Sequence, residues 1–142
     1  MRVPSNTPFS FPKREHLCSQ RLIDALFSQG HRLEVFPFAV RWMLVPAGQL
    51  PTEVNLQVLI VAPKRKFPHA VDRNRVKRIT RECYRKQKLL LVDFLDVRNL
   101  SLVFSVSYVH TSILSYETLY SKMEKVMGSL KDNIQETLPD NT

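Results

Sequence analysis

The residues with the clearest chemical potential in this sequence are basic and lie close together. Eleven of the 21 lysines and arginines fall between positions 64 and 88, against only Asp72 and Glu82. This stretch therefore carries a charge of +9, and the rest of the chain sums to −1. Each Lys or Arg placed against a phosphate releases condensed counterions, so such a concentration of charge favours a polyanionic partner. Nucleic acid is the first hypothesis.

The spacing of apolar residues in the same stretch predicts a helix of about six turns that begins near Pro68. On a helical wheel Val76, Ile79 and Cys83 share one narrow arc, which we expect to be buried. The opposite arc carries six cations and no acid. These are Arg73, Lys77, Arg78, Arg81, Arg85 and Lys88, with Asn74 among them. Because like charges repel along this face, we expect an anionic partner to offset the repulsion.

Two other interpretations of the basic helix are a solvated charged face and a helix that lies on a membrane surface. A solvated helix normally mixes charges of both signs at i,i+4 spacing, which this face does not. A membrane-surface helix requires large apolar residues that are free to enter lipid. The apolar residues here are modest in size and are expected to pack on a sheet, so nucleic-acid binding is favoured.

No group of residues in the chain forms a recognisable catalytic or metal-binding motif. The histidines at 16, 31, 69 and 110 lack metal-ligand spacing with one another or with the two cysteines. Three glycines are too few and too dispersed for a phosphate-binding loop. Asp93 and Asp96 follow the predicted basic helix, where a solvated turn explains them as well as a catalytic role would. The sequence therefore predicts no catalytic residue and no metal site in the chain itself.

Length and composition favour one domain over residues 1–142. With 142 residues, of which 44% are hydrophobic, the chain can bury a substantial core. The proline-rich positions 1–14 are predicted to be mobile, 15–133 to form the folded core, and 134–142 to be a frayed tail. No apolar run reaches the roughly 20 residues of a membrane span. The N-terminus does not resemble a secretory signal, and the two cysteines lack C-x-x-C spacing, so a cytoplasmic location is expected.

Periodicity predicts the other elements. A first helix is expected near 19–29, with Ser19 as N-cap and Gly30 as a left-handed C-cap. Alternation of apolar residues predicts strands at 36–45 and 54–60, joined as a hairpin, and a third at 100–109. A final helix is expected to begin at a Ser115 cap. Its predicted apolar stripe consists of Leu119, Met123, Val126 and Leu130.

The run AVDRNRVKRITRE at positions 70–82, preceded by Arg65 and Lys66, closely resembles the signature of the protein subunit of bacterial ribonuclease P. The match is dense and ordered along the chain. The region from Leu17 through a helix that closes at Gly30, and then a strand through Phe38, is similar to the N-terminal half of that family. The resemblance covers roughly residues 14–131.

The resemblance implies an α/β (α+β) two-layer sandwich with the order helix, three strands, basic crossover helix, strand, helix. The short third strand would come from Leu33 to Val35. The family's crossover is left-handed, which is an exception to the usual handedness rule. In the family the partner is a large catalytic RNA, and the complex removes the 5′ leader of precursor tRNA. Hydrolysis is carried out by that RNA with its Mg²⁺ ions, and no further protein partner is required.

Carried over by position, the resemblance assigns two sets of residues. The surface against the RNA would comprise Lys64, Arg65, Lys66, Arg73, Asn74, Arg75, Lys77, Arg78, Arg81 and Arg85. The cleft that holds the single-stranded leader would be lined by Ile23, Phe27, Phe38 and Arg41. Ile23 and Arg41 stand where many members have aromatic residues, so apolar contact and a guanidinium plane would replace some base stacking. Pro68 and His69 replace the more usual Gly-Asn, which changes the hydrogen-bond donors at that turn.

Two further functional hypotheses fit parts of the sequence. A general RNA chaperone or ribosomal-type RNA-binding protein would need the same basic charge but no leader cleft. A stand-alone nuclease would need a catalytic group, and the sequence does not show one. Replacing Phe27 separates the first hypothesis from a ribonuclease P subunit, because only a subunit is expected to bind the leader through this residue.

Overall fold

A computed structural model describes residues 10–138 of the chain, in which helices pack on a four-stranded sheet. After a short 3-10 helix (Lys13–Glu15), the elements are α1 (Gln20–Gln29), β1 (His31–Val35), β2 (Phe38–Val45), β3 (Leu56–Val61), α2 (Ala70–Arg85), α3 (Lys88–Arg98), β4 (Ser101–Tyr108) and α4 (Tyr116–Thr137). This order confirms the predicted α+β class and adds one helix, α3. None of the helices within the described range is both long and apolar enough to cross a bilayer.

The sheet has the strand order β1-β2-β4-β3, so β2 and β3 are not neighbours. β4 lies between them, antiparallel to β2 and parallel to β3. The predicted hairpin between positions 36–45 and 54–60 is therefore wrong. The hairpin in this region joins β1 to β2 through Phe36 and Pro37. Alternation identifies which face of a strand is buried, whereas the choice of partner strand depends on the whole sheet.

The parallel strands β3 and β4 are connected by α2 and α3. Parallel neighbours require such a crossover because the chain must return to the same end of the sheet before the second strand begins. The crossover expected from the resemblance is therefore present. Its left-handed sense stays a prediction.

The two faces of the sheet are covered differently. One face packs on α2, α3 and α4, and there Trp42 of β2 and Phe104 of β4 are almost fully buried. Alternate β4 residues from Leu102 to Tyr108 share this face, as the sequence predicts. The opposite face packs on α1 and on the segment before it, in a smaller cluster that includes Leu17, Leu22, Leu26, Val45 and Val103. Since α1 is short, part of this second face remains open.

The basic helix is shorter than the six turns predicted. α2 has 16 residues and ends at Arg85, and α3 starts after a two-residue turn. After this turn, α3 buries Leu91 and Leu95 in the core. Asp93 and Asp96 lie on the exposed side of α3 and not in a solvated turn.

Both predicted serine caps are confirmed, but the role of Gly30 is different from the one predicted. The Ser19 and Ser115 side chains accept hydrogen bonds from the backbone N–H groups of Leu22 and Thr118, at 3.3 and 3.2 Å. Gly30 has φ −68° and ψ 152°, so it is extended and not left-handed. A Cβ atom at this position would lie 2.3 Å from the carbonyl oxygen of Leu26. Glycine is therefore required by close packing at the end of α1.

The ends of the folded region differ from the prediction. α4 continues to Thr137, and Ile134 is 0% exposed, so the frayed tail cannot begin at 134. At the other end, Phe11 stacks on His16 with ring centroids 3.9 Å apart and contacts Tyr84 edge-on. Phe11, which belongs to the segment predicted to be mobile, is thus packed on the core. The remainder of the predicted mobile segment and tail, positions 1–9 and 139–142, lies outside the described residues.

Candidate nucleic-acid interface

α2 presents one side to the core and the other to solvent, as the sequence predicts. Val76 and Cys83 are buried, Ile79 is half-buried, and Thr80 and Tyr84 extend the buried side beyond the predicted stripe. Burial raises the pKa of the Cys83 thiol to about 11, with a smaller contribution from neighbouring charges. The buried side fixes the rotation of the helix, so the basic side chains of the opposite side share one surface.

The predicted RNA-binding residues differ in how far they reach into solvent. Lys64, Arg65, Asn74, Arg75 and Arg78 are exposed, whereas Lys66, Arg73, Lys77, Arg81 and Arg85 are half-buried. Part of the half-buried set has a structural task. The Arg73 guanidinium donates hydrogen bonds of 2.9 Å to the carbonyl oxygens of Phe67 and Pro68, which holds the turn before α2. Contact of these ten residues with RNA stays a prediction.

The far end of the basic face contains an acid, contrary to the expectation of a single-signed surface. Glu82 accepts two hydrogen bonds of 2.9 Å from the Arg85 guanidinium. This hydrogen bonding lowers the pKa of Glu82 and raises the pKa of Arg85. Arg85 is therefore partly neutralised, whereas Lys77, Arg78 and Arg81 form no ion pair with another described residue.

Lys88 does not lie on the basic face. Its side chain is 4% exposed and forms an ion pair with Glu15, and its Nζ also donates to the carbonyl oxygen of Ser10. The predicted position on the wheel is wrong because α2 ends before this residue and Lys88 begins α3. Lys88 instead anchors the N-terminal segment to the start of α3.

A first cavity, of about 190 Å³, lies between this N-terminal segment and α2. Lys77 and Arg81 line it, together with His16, Cys18 and the edge of β3. The backbone N–H of Leu17 donates to Val58 of β3 at 2.9 Å, so the segment extends the sheet edge. The Nε atom of Arg81 is buried, and it has no hydrogen-bond partner among the described residues. Two half-buried cations are thus held at one concave part of the basic surface.

A second cavity, of about 350 Å³, occupies the open part of the α1 face. Its lining includes Phe27 of α1, Ala39 and Arg41 of β2, Arg65 and Ser107. Phe27 is 40% exposed, so its ring can accept a stacking partner. The Arg41 guanidinium donates a 3.0 Å hydrogen bond to the Phe27 carbonyl oxygen and joins β2 to the end of α1. The cavity combines an aromatic surface with guanidinium groups, which suits a single-stranded nucleic acid.

The four predicted cleft residues separate in the structure. Phe27 and Arg41 line the second cavity together. Ile23 packs against the smaller cluster, as Met43 and Leu59 do, and is not part of the cavity lining. Phe38 is 0% exposed on the opposite face of the sheet, so its assignment to the cleft is wrong. Strand alternation explains this, because residues one apart on β2 point to opposite faces.

Sequence reasoning missed Arg32 and Glu34, which belong to the cavity lining. In the β1–β2 register Arg32 is opposite Arg41 and Glu34 is opposite Ala39. A signal for both was available, since a strand at 31–35 would place 32 and 34 on one face. Among residues 10–138, no group of three or more His, Cys, Asp or Glu side chains lies close enough together to hold a metal ion.

Comparison with known proteins identifies the family. The family model described as Ribonuclease P matches residues 11–131, which is most of the chain. The chain belongs to the ribonuclease P protein family. The ribonuclease P protein component of Porphyromonas gingivalis is 30% identical over 132 residues, covering 93% of this chain and 94% of that protein. The component from Chlorobium phaeobacteroides is 30% identical over 129 residues, covering 86% and 88%.

Solved structures of the ribonuclease P family have the same fold. The Staphylococcus aureus RNase P protein superposes with a TM-score of 0.59 at 17% identity, covering 82% of this chain and 95% of that one. The Thermotoga maritima RNase P protein gives 0.60 at 19% identity, covering 81% and 96%. At this identity the likeness establishes the fold, and the chemistry of individual positions must come from this chain. The resemblance noted in the sequence is confirmed.

Proposed function

We propose that this chain, as a ribonuclease P protein subunit, binds the catalytic RNA and the 5′ leader of precursor tRNA. The observation that carries the proposal is the position of Arg65. This residue lines the larger cavity and belongs to the basic loop that leads into α2. A single-stranded RNA that lies in the cavity can therefore continue along the exposed cations of α2 and remain in a region of positive potential.

The two parts of the surface have different tasks in this proposal. The exposed cations of α2, such as Arg75 and Arg78, contact RNA phosphates and supply affinity without base specificity. The cavity holds unpaired leader nucleotides, whose bases are free to stack on Phe27. Together they place precursor tRNA against the RNA subunit.

In the same proposal, hydrolysis of the leader is carried out by the RNA subunit with its Mg²⁺ ions. The protein's own contribution is binding and orientation. Cations beside the RNA reduce phosphate repulsion, which lowers the magnesium concentration that the folded complex needs. No other protein is required in this scheme, and the cytoplasmic location expected from the sequence stays a prediction.

Reconstitution tests the proposal. The purified chain is added to its cognate RNA subunit, and cleavage of a precursor tRNA is followed over a magnesium series. We expect the protein to restore cleavage at low magnesium, where the RNA alone is inactive, and to release a 5′ leader of the correct length. Absence of stimulation over the whole series would overturn the proposal. Cleavage by the protein after the RNA has been removed would instead support a stand-alone nuclease.

A further inference from the structure

The larger cavity contains a carboxylate that phosphate binding does not explain. Glu34 is the one acid in a lining that also holds Arg32, Arg41 and Arg65. Within the described residues, its carboxylate forms neither an ion pair nor a hydrogen bond. Glu34 is exposed, and because a carboxylate repels the phosphates of a bound RNA, it can contribute to binding only through another part of the ligand.

The position of Glu34 suits contact with the edge of a base. It pairs with Ala39 in the β1–β2 register, and both residues belong to the cavity lining. Ala39 has a small side chain, which leaves room beside the carboxylate. Phe27 supplies an aromatic surface in the same cavity. The cavity volume of about 350 Å³ lies within the range of roughly 300 to 1,000 Å³ that small-molecule sites occupy.

The chemistry of a carboxylate then favours some bases over others. An ionised carboxylate only accepts hydrogen bonds, and it has two oxygens that accept side by side. The Watson–Crick edge of guanine offers two adjacent donors, N1–H and the N2 amino group. Cytosine and adenine offer one amino donor next to an acceptor nitrogen. Uracil offers N3–H between two carbonyl oxygens, both of which repel the carboxylate.

We infer that Glu34 selects the base of one leader nucleotide, with guanine preferred and uracil disfavoured. The nucleotide stacks on Phe27, and its Watson–Crick edge contacts the Glu34 carboxylate. This inference rests on the proposed function, because it takes the cavity to be the leader site. It adds a base preference at that site and assigns the preference to one residue of this chain.

The experiment uses the complex of this protein with its cognate RNA subunit. Precursor tRNAs that differ in a single leader nucleotide are compared, with each leader position changed in turn to guanine, inosine, adenine, cytosine or uracil. At one position we expect guanine to bind about tenfold more tightly than uracil, the scale of one good base contact. Inosine lacks the N2 amino group, so its affinity should fall between the two.

The variant Glu34→Gln removes the charge and keeps the shape of the side chain. Its amide can donate to uracil carbonyls, so the guanine-to-uracil ratio should fall close to one. Loss of a negative charge strengthens binding to every RNA alike. The readout is therefore the ratio of the guanine and uracil affinities and not either affinity by itself. Glu124→Gln, an exposed acid on α4, is the matched control and should leave the ratio unchanged.

The outcomes separate this inference from the proposed function. Leader-dependent binding with equal affinity for all bases at every position would overturn the inference alone. The same follows if Glu34→Gln keeps the parent ratio, or if inosine equals guanine. A complex that binds precursor tRNA and leaderless tRNA with the same affinity would overturn the proposed function, and the inference with it.

Discussion

The Lys88 ammonium group is buried against the Glu15 carboxylate, and this ion pair joins the start of α3 to the segment that precedes α1. The Glu15 side chain is 18% exposed, so both charges are largely removed from water. Phe11, His16 and Tyr84 pack around the same junction. The pair therefore has a structural role, although Lys88 belongs to the most basic stretch of the sequence.

Replacement of Lys88 by Ala is expected to destabilise the fold by about 3 kcal/mol, because it leaves a buried carboxylate without a partner. The free energy of unfolding is measured by urea titration. The double variant Lys88→Met, Glu15→Gln removes both charges and should recover most of that loss. If Lys88→Ala lowers the free energy of unfolding by no more than the double variant does, the unpaired Glu15 carboxylate is not the cause of the loss.

The difference between exposed and buried cations predicts the salt dependence of RNA binding. Arg78 is exposed on α2, and its replacement by Gln should lower the slope of log K against log salt by about one. The double variant Lys88→Met, Glu15→Gln removes a lysine from the same stretch without leaving a buried charge unpaired, and it should leave the slope unchanged. Binding to the RNA subunit is measured over a salt series. Equal slopes for the two variants would contradict the division between surface and buried cations.

The sequence predicts well those features that depend on local pattern. The buried side of α2, the serine caps of α1 and α4, and the alternation along β4 all follow from the spacing of a few residues. The position of Lys88, in contrast, does not follow from the spacing of residues. The turn at 86 and 87 contains no glycine or proline that would mark the end of α2. The position of Lys88 depends on contacts with Glu15, which is far away in the sequence.

The candidate site was predictable only in part, for a similar reason. Phe27 and Arg41 were found through the resemblance, and the structure brings them together in one cavity. Phe38 was misplaced, because a residue can match a family position and still point to the other face of the sheet. A strand at 31–35 places Glu34 on the same face as Arg32, but only the pairing of β1 with β2 sets it beside Ala39 in the cavity lining.

The buried thiol of Cys83 predicts a loss of stability at alkaline pH. Below its ordinary pKa of 9.0, both the folded and the unfolded thiol hold the proton, so the group contributes no pH dependence. Above 9.0 the unfolded thiol ionises, whereas the folded one keeps its proton to about 11. Stability should therefore fall as pH rises, by about 1 kcal/mol for the first pH unit above 9.0.

Urea unfolding of the parent and of Cys83→Ala measures this effect. The variant has lower stability throughout, because a buried side chain is truncated, but its decline just above pH 9.0 should be shallower. Tyr84 and Tyr108, whose pKa values are also raised by burial, contribute to the decline of both proteins, so the difference between the two slopes measures the thiol. Parallel declines in the two proteins would show that Cys83 remains protonated in both states or ionises in both.

Phe27 and Phe36 form a matched pair for a test of leader binding. Both rings are exposed, at 40% and 58%, so replacement of either by Ala should cost little stability. Phe27 lines the larger cavity, whereas Phe36 lies in the β1–β2 hairpin against His110 and is not part of the lining. A change in RNA binding caused by general loss of an aromatic ring would appear in both variants.

Phe27→Ala is expected to weaken binding of precursor tRNA by about tenfold, because it removes one stacking contact with a leader base. Binding of leaderless tRNA should not change, because in the proposed complex only the leader enters the cavity. Phe36→Ala should leave both affinities as they are. The measurement is the ratio of the two dissociation constants in complexes with the RNA subunit. A ratio that is unaffected by Phe27→Ala would favour a general RNA-binding protein, in which the basic helix acts without a leader cleft.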